Sequence, residues 1–155
     1  MQLEFLVFEL GGRRYGLPAG DVQEIVRAVP PVPLPGAPDL IEGVVNVRGN
    51  VIPVLDLRRR FGLPPRPVEH TDHLVIARAA GRLVALRVDH AVDLVQAAEA
   101  DVEDVAGTAE GGRTAARIVK LSGDLVLIGD LRALLSPAEA AALGEALPAG
   151  EGGRP

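Results

Sequence analysis

Ile41-Glu42-Gly43-Val44-Val45-Asn46-Val47-Arg48-Gly49-Asn50-Val51-Ile52-Pro53-Val54-Leu55-Asp56-Leu57 is the stretch that decides the fold. Two apolar runs rich in β-branched residues flank a polar corner, Arg48-Gly49-Asn50. Gly-Asn between such runs signals a tight hairpin, because both residues tolerate φ > 0. The corner carries one charged side chain, Arg48, between two strands expected to be buried. A turn uses the glycine and the asparagine but has no need of an arginine, which marks Arg48 as a residue presented for recognition. Pro53 in the second run implies an edge position or a bulge. Asp56 is placed to cap a short helix, Leu57 to Phe61, closed by Gly62.

Upstream, Phe5 to Leu10 and Arg13 to Leu17 read as a hairpin about Gly11-Gly12. Pro18 to Asp21 breaks the pattern, with room for one helical turn, and Val22-Gln23-Glu24-Ile25-Val26 resumes as a strand. On that strand Val22, Glu24 and Val26 share one face. If this face is core, Glu24 needs a charge partner; if it is exposed, two valines around a carboxylate resemble an interface. Five prolines between Ala28 and Pro38 make a stiff extended connector. Downstream, Leu63 to Thr71 is a second proline-bearing connector. Leu74–Ala77 and Leu83–Val88 form a hairpin about Gly81, and Ala91–Val95 a further strand. Ala97 to Thr114 is read as a mobile acidic loop. Ile118–Leu121 and Leu125–Ile128 form a third hairpin about Ser122-Gly123-Asp124. Ser136-Pro137-Ala138-Glu139 opens a helix that runs to Leu147.

The chain is written twice. Gly49-Asn50-Val51-Ile52-Pro53-Val54-Leu55-Asp56-Leu57-Arg58 aligns with Gly123-Asp124-Leu125-Val126-Leu127-Ile128-Gly129-Asp130-Leu131-Arg132, and Gly12-Arg13 with Gly81-Arg82. The halves run approximately over residues 1–62 and 73–136. Each holds about five strands, the size of a small SH3-like barrel, and either alone would be marginal. The expected architecture is one mainly all-β domain, residues 1–147, of two five-stranded SH3-like barrels sharing a core, followed by a disordered tail, 148–155. Ser122 is the counterpart of Arg48, so the fold tolerates a neutral residue at this corner.

Composition narrows the function. The chain has 155 residues, a net charge of −5, 24% charged and 3% aromatic residues, and no cysteine. Acidic charge argues against nucleic acid, which asks for a basic stripe, and so few aromatics leave no base-stacking platform. Without cysteine there is no disulfide framework, thiolate zinc site or cysteine nucleophile, which fits a reducing compartment. No stretch has the character of a signal peptide or approaches the ~20 apolar residues of a membrane helix. The expectation is a cytoplasmic, soluble protein that does not insert into a membrane.

Catalytic chemistry is hard to find. His70 and His73 have metal-ligand residue types in Glu69-His70-Thr71-Asp72-His73, but Pro67 and the following strand argue for a solvated connector. Asp89-His90 with Ser122 or Ser136 lacks the context of a triad. No phosphate-binding glycine loop is present. Asp56 and Asp130, at equivalent repeat positions, are better explained as helix caps. No catalytic residue, metal or cofactor is expected, and a binding module is. The alternatives are an SH3- or Tudor-like reader of peptides or nucleic acid, a metal-dependent enzyme using His70 and His73, and a truncated kinase regulatory domain. The Met1 start and the capped last helix favour a stand-alone protein.

Several stretches together resemble the CheW family, the coupling proteins of bacterial chemosensory arrays. They are Phe5-Leu6-Val7-Phe8-Glu9-Leu10-Gly11 with Tyr15-Gly16-Leu17-Pro18; Val22 to Val26; Leu34-Pro35-Gly36-Ala37-Pro38; Ile41 to Gly49; Val51 to Arg58; and Val88-Asp89. The resemblance implies two intertwined five-stranded SH3-like barrels, no enzymatic activity, and a place at membrane-associated chemoreceptor arrays. It implies a scaffold between the cytoplasmic tip of chemoreceptors and the regulatory domain of a CheA-like histidine kinase. It puts the positions matching Val22, Glu24 and Arg48 on the receptor-facing surface, and Gly43, Asn46 and Gly49 of the same corner motif are taken with them. The chain departs from the family at Ala85, where glycine is usual, at Arg87, where an apolar residue is usual, and in the Ala97 to Thr114 segment. Such departures suit a paralogue serving a pilus-motility or other non-flagellar pathway.

Overall fold

The computed structural model describes residues 2–79, 81–104, 115–121, 123–129, 131 and 134–147. Ser122, Asp130 and the tail from residue 148 lie outside them, as do residues 105–114 of the expected loop. The strands are β1 (Gln2–Leu10), β2 (Arg13–Pro18), β3 (Val22–Arg27), β4 (Ile41–Val47), β5 (Asn50–Asp56), β6 (His73–Ala79), β7 (Arg82–Val88), β8 (His90–Ala98), β9 (Val102–Asp104), β10 (Ala115–Leu121) and β11 (Asp124–Gly129). The helices are α1 (Leu57–Arg60) and α2 (Pro137–Ala146). The fold is mainly β, as expected, and the helical turn before β3 is a 3-10 turn, Ala19–Asp21.

β1 is apolar from Phe5 to Phe8 because both of its faces are buried. Successive strand residues point to opposite sides. Phe5 and Val7 therefore enter one cluster, with Val119, Val126 and Ile128. Leu6, Phe8 and Leu10 enter another, with Leu55, Val75 and Leu86. β6 divides in the same way: Val75 and Ala77 face that shared cluster, while Leu74 and Ile76 join Val45, Ile52 and Val54 in a third. Each sheet thus covers a small core of its own, and a larger one lies between them.

The sheet order repeats. One sheet runs β9-β10-β11-β2-β1-β8 and the other β4-β5-β7-β6-β3. In each, two hairpins meet through a short parallel contact, β11 on β2 and β5 on β7. Val32, bridged to Val44, flanks the β4–β5 hairpin as β9 flanks β10–β11. The hairpin β1–β2 from the first sequence half completes the sheet of the second, and β6–β7 from the second half completes the sheet of the first. This exchange is what entwines the halves. Gly16 allows one crossing, since a Cβ there would stand 2.8 Å from Ile128 Cδ1.

Three local expectations need correction. β5 is an interior strand, so Pro53 is not at an edge. It is tolerated because its partner Val44 spends its own N–H and C=O on Val32, and the bulge falls on β4, at Glu42. The expected loop from Ala97 is ordered at its start, as the end of β8, a 3-10 turn and β9. The left-handed residues of the organising turn are Arg48 (φ 54°) and Gly49 (φ 88°), one position earlier than read. Val47 pairs with Asn50, which leaves Arg48 and Gly49 as a two-residue loop with both φ positive, the arrangement that matches strand twist. The caps are as read: Asp56 accepts from the Arg59 amide, and Ser136 and Glu139 form a reciprocal capping box on α2.

Candidate functional site

Arg48 is the single non-glycine residue with positive φ among the described residues. For an arginine this conformation is disfavoured by about 1–2 kcal/mol, so the rest of the corner must hold it. Asn46 does so: its Oδ1 accepts from the Gly49 amide at 2.9 Å. The result is a rigid tip whose arginine side chain is 76% exposed. Glu24, from β3 at the opposite edge of the same sheet, receives Arg48 Nε at 3.2 Å and Nη2 at 3.1 Å, both on Oε1. So open an ion pair contributes at most ~1 kcal/mol to folding. Its effect is to orient the guanidinium while leaving the second carboxylate oxygen of Glu24 unused by that contact. Beside the pair runs a groove walled by Val26, Val29, Val45, Val47 and Leu74, with Arg27 and Arg48 among its lining residues.

The structure therefore brings Glu24, Asn46, Arg48 and Gly49 together. β3 resolves as a strand with its Val22, Glu24 and Val26 face inward and half-buried. Val22 packs against the shared core and Val26 against the smaller one beneath the groove. Glu24 sits at the rim with the charge partner its position demands. Gly43 is buried beneath the proline connector: a Cβ there would lie 2.3 Å from the Val32 carbonyl oxygen. It shapes the site from below.

His73, His90 and Asp89 are engaged elsewhere, and the His70 side chain is exposed. His73 Nδ1 accepts from the Ala91 amide at 3.3 Å, and the His73 and His90 rings are 5.4 Å apart. Burial, then His90 and Arg27, lower the His73 pKa below its ordinary 6.5 against the opposing pull of Asp72. The unfolded chain therefore takes up this proton first, and stability falls as pH drops below about 6.5. We expect the melting temperature to decline from pH 7.5 to pH 5.5, and to decline less in His73→Gln; equal slopes would remove His73 as the cause.

Sequence reading missed a network of buried charge. Arg87, the departure noted above, donates to Glu42 at 2.8 Å, to Asp72 at 3.2 Å and to the Arg66 carbonyl at 2.9 Å. Arg66 in turn contacts Glu69, Asp72 and Asp89, and Arg58 contacts Asp89 at 2.7 Å. Asp72, chiefly, holds the Arg66 pKa above its ordinary value. Burial pushes the Asp89 carboxyl up, but the Gly11 amide with Arg66 and Arg58 more than offsets it, leaving the pKa lowered. Glu42 is raised by burial, only partly offset by Arg87. The network pins the second connector to β7 and to the base of β4, whose far end carries Arg48. Residues from Glu42 to Asp89 meet here, and no local pattern announces them.

Comparison with known proteins identifies the family of the chain. The family model of the CheW-like domain matches residues 4–139. The chain is 30% identical over 134 residues to the chemotaxis protein CheW of Bacillus subtilis, covering 85% of this chain and 86% of that one. It is 27% identical over 106 residues to CheW of Helicobacter pylori, covering 68% of this chain and 64% of the relative. Its structure resembles that of the scaffolding protein TtCheW from Thermoanaerobacter tengcongensis, with a TM-score of 0.82, 29% identity, and coverage of 90% of this chain and 96% of that one. With the family model matched over residues 4–139 and the fold shared with TtCheW, the chain belongs to the CheW-like domain family.

Proposed function

We propose that this protein is a non-enzymatic coupling scaffold that joins the cytoplasmic tip of chemoreceptors to the regulatory domain of a CheA-type histidine kinase. The observation that carries the proposal is the Arg48 corner. An arginine is kept in an unfavourable backbone conformation, exposed, and aimed by Glu24 beside a valine-walled groove. Folding gains little from that arrangement, so a partner is its natural use. Glu24, Asn46, Arg48 and Gly49 form the receptor-facing surface, with Val22 and Gly43 supporting it from within.

In this reading the groove takes apolar side chains from a receptor helical hairpin while Arg48 meets its polar groups. A separate surface holds the kinase domain. Coupling comes from fixing both partners in one geometry, and no bond is made or broken by this chain. No helix among the described residues is long and apolar enough to cross a membrane; association with arrays rests on the receptor contact.

Arg48→Ala is expected to weaken binding of a soluble receptor-tip fragment by about 1–3 kcal/mol. The stability change should stay within about 1 kcal/mol, the worth of an exposed pair. Titration calorimetry and thermal unfolding on the same samples check both. Unchanged affinity would remove the corner from the receptor contact, and a collapsed fold would make Arg48 structural.

A further inference from the structure

We propose that residues 27–33, Arg27-Ala28-Val29-Pro30-Pro31-Val32-Pro33, the last residue of β3 and the proline connector after it, present a polyproline-II-like face to an aromatic-walled groove on another protein. Pro30, Pro31, Pro33 and Pro35 fix their own φ, and each residue before a proline is held in the extended region. Burial along the segment repeats every three residues. Ala28 is buried and Pro31 and Leu34 half-buried, while Val29, Pro30, Val32 and Pro33 are exposed. Three residues per turn is the polyproline-II period; a strand would alternate every two.

The segment is fastened along its inward edge. The Ala28 amide donates to the Asp72 carbonyl at 3.0 Å, and Val32 and Val44 exchange hydrogen bonds of 2.9 and 2.8 Å. Pro31 lies over Gly43, and Leu34 packs on the shared core. Protection of the β4 edge explains these contacts. It does not explain the outward side, where Val29-Pro30 and Val32-Pro33 are exposed beyond Arg27; Arg27 and Val29 also border the groove beside Arg48, so such a partner competes with a receptor for them. Val29 is 51% and Val32 65% exposed.

Proline-rich ligands dock in aromatic-lined grooves because their conformation is already set. Here it is set twice, by proline and by the body of the protein, so little ordering cost remains on binding. Two aliphatic-proline pairs suit adjacent aromatic slots, and Arg27 calls for an acidic pocket at one end. The reader is not a second copy of this chain. Its four aromatic residues offer no groove: Phe5, Phe8 and Tyr15 are buried, and Phe61 stacks on Tyr15 at 4.7 Å.

The test uses an SH3 domain selective for basic-x-aliphatic-Pro-x-x-Pro ligands as the probe. It is titrated by NMR into the folded chain and, separately, into a synthetic peptide of residues 26–35. The expected result is binding by both, the folded chain at least as tightly as the peptide, with shifts centred on residues 27–34. Arg27→Glu and the double variant Val29→Ser/Val32→Ser should each lose tenfold or more in affinity while the Val44 amide resonance stays in place. Binding by the peptide but not the folded chain, binding by neither, or shifts centred elsewhere would overturn the proposal.

Discussion

Asp72→Ala is expected to cost about 3–5 kcal/mol of folding stability, the usual penalty for removing one partner of a buried ion pair. Asp72 is 1% exposed, and its carboxylate accepts from Arg66, Arg87 and the Glu69 amide. Its loss leaves Arg87, itself buried, with Glu42 as its remaining carboxylate. A domain of this kind has roughly 5–15 kcal/mol in total, so the variant should unfold at markedly lower urea concentration than the wild type. Adding Arg87→Met together with Glu42→Leu removes the remaining pair as well and should restore part of the loss, because such networks are often near neutral when replaced as a unit. A loss below about 1 kcal/mol in Asp72→Ala would show that water or a neighbouring carboxylate replaces Asp72, and that the network does not fix the connector.

Gly43→Ala is expected to destabilise by roughly 2–5 kcal/mol, the sum of backbone strain and lost hydrogen bonds. At φ 154° the position already disfavours a side chain. The new Cβ would also lie 2.3 Å from the Val32 oxygen and 2.7 Å from its carbon. The connector must then lift from β4, giving up its two hydrogen bonds with Val44. Gly49→Ala is the control: it has φ 88° but nothing within 4 Å of its Cβ, so it bears strain alone and should cost about 1 kcal/mol. Equal losses at the two positions, measured by chemical unfolding, would show that the contact with Val32 is not what requires the glycine.

The legible parts of this chain are those decided locally. Gly11-Gly12, Gly81 and the Gly49 corner each separate apolar runs, and each turned out to be a hairpin. Ser136-Pro137-Ala138-Glu139 contains its whole cap within four residues. The alternation on β3 put Val22, Glu24 and Val26 on one face and left its direction open; the structure turns that face inward and supplies Arg48 as the partner Glu24 then needs. Other features depend on distant residues. The left-handed pair fell on Arg48 and Gly49 because Asn46 caps the turn and Val47 pairs with Asn50. Pro53 reads as an edge or bulge signal, but it lies in an interior strand where Val32 occupies the hydrogen-bonding groups of Val44 opposite it. The exchange of hairpins between sheets is invisible in a repeat, because either pairing leaves the repeat unchanged. Arg87 stood out as a departure, yet its purpose needed Glu42, Arg66 and Asp72 in place around it.

The central claim is that one chain holds receptor and kinase together through separate surfaces. It is tested by mixing the purified protein, a soluble CheA-type kinase and vesicles carrying a receptor cytoplasmic fragment, then sedimenting the vesicles. The account predicts that kinase appears in the pellet well above its background only when this protein is present. With Arg48→Ala, both proteins should stay largely in the supernatant while the variant still binds the kinase regulatory domain in solution. Undiminished kinase recruitment by the folded variant would contradict the assignment of the corner. Failure of the wild type to bring down any kinase would contradict the scaffold itself.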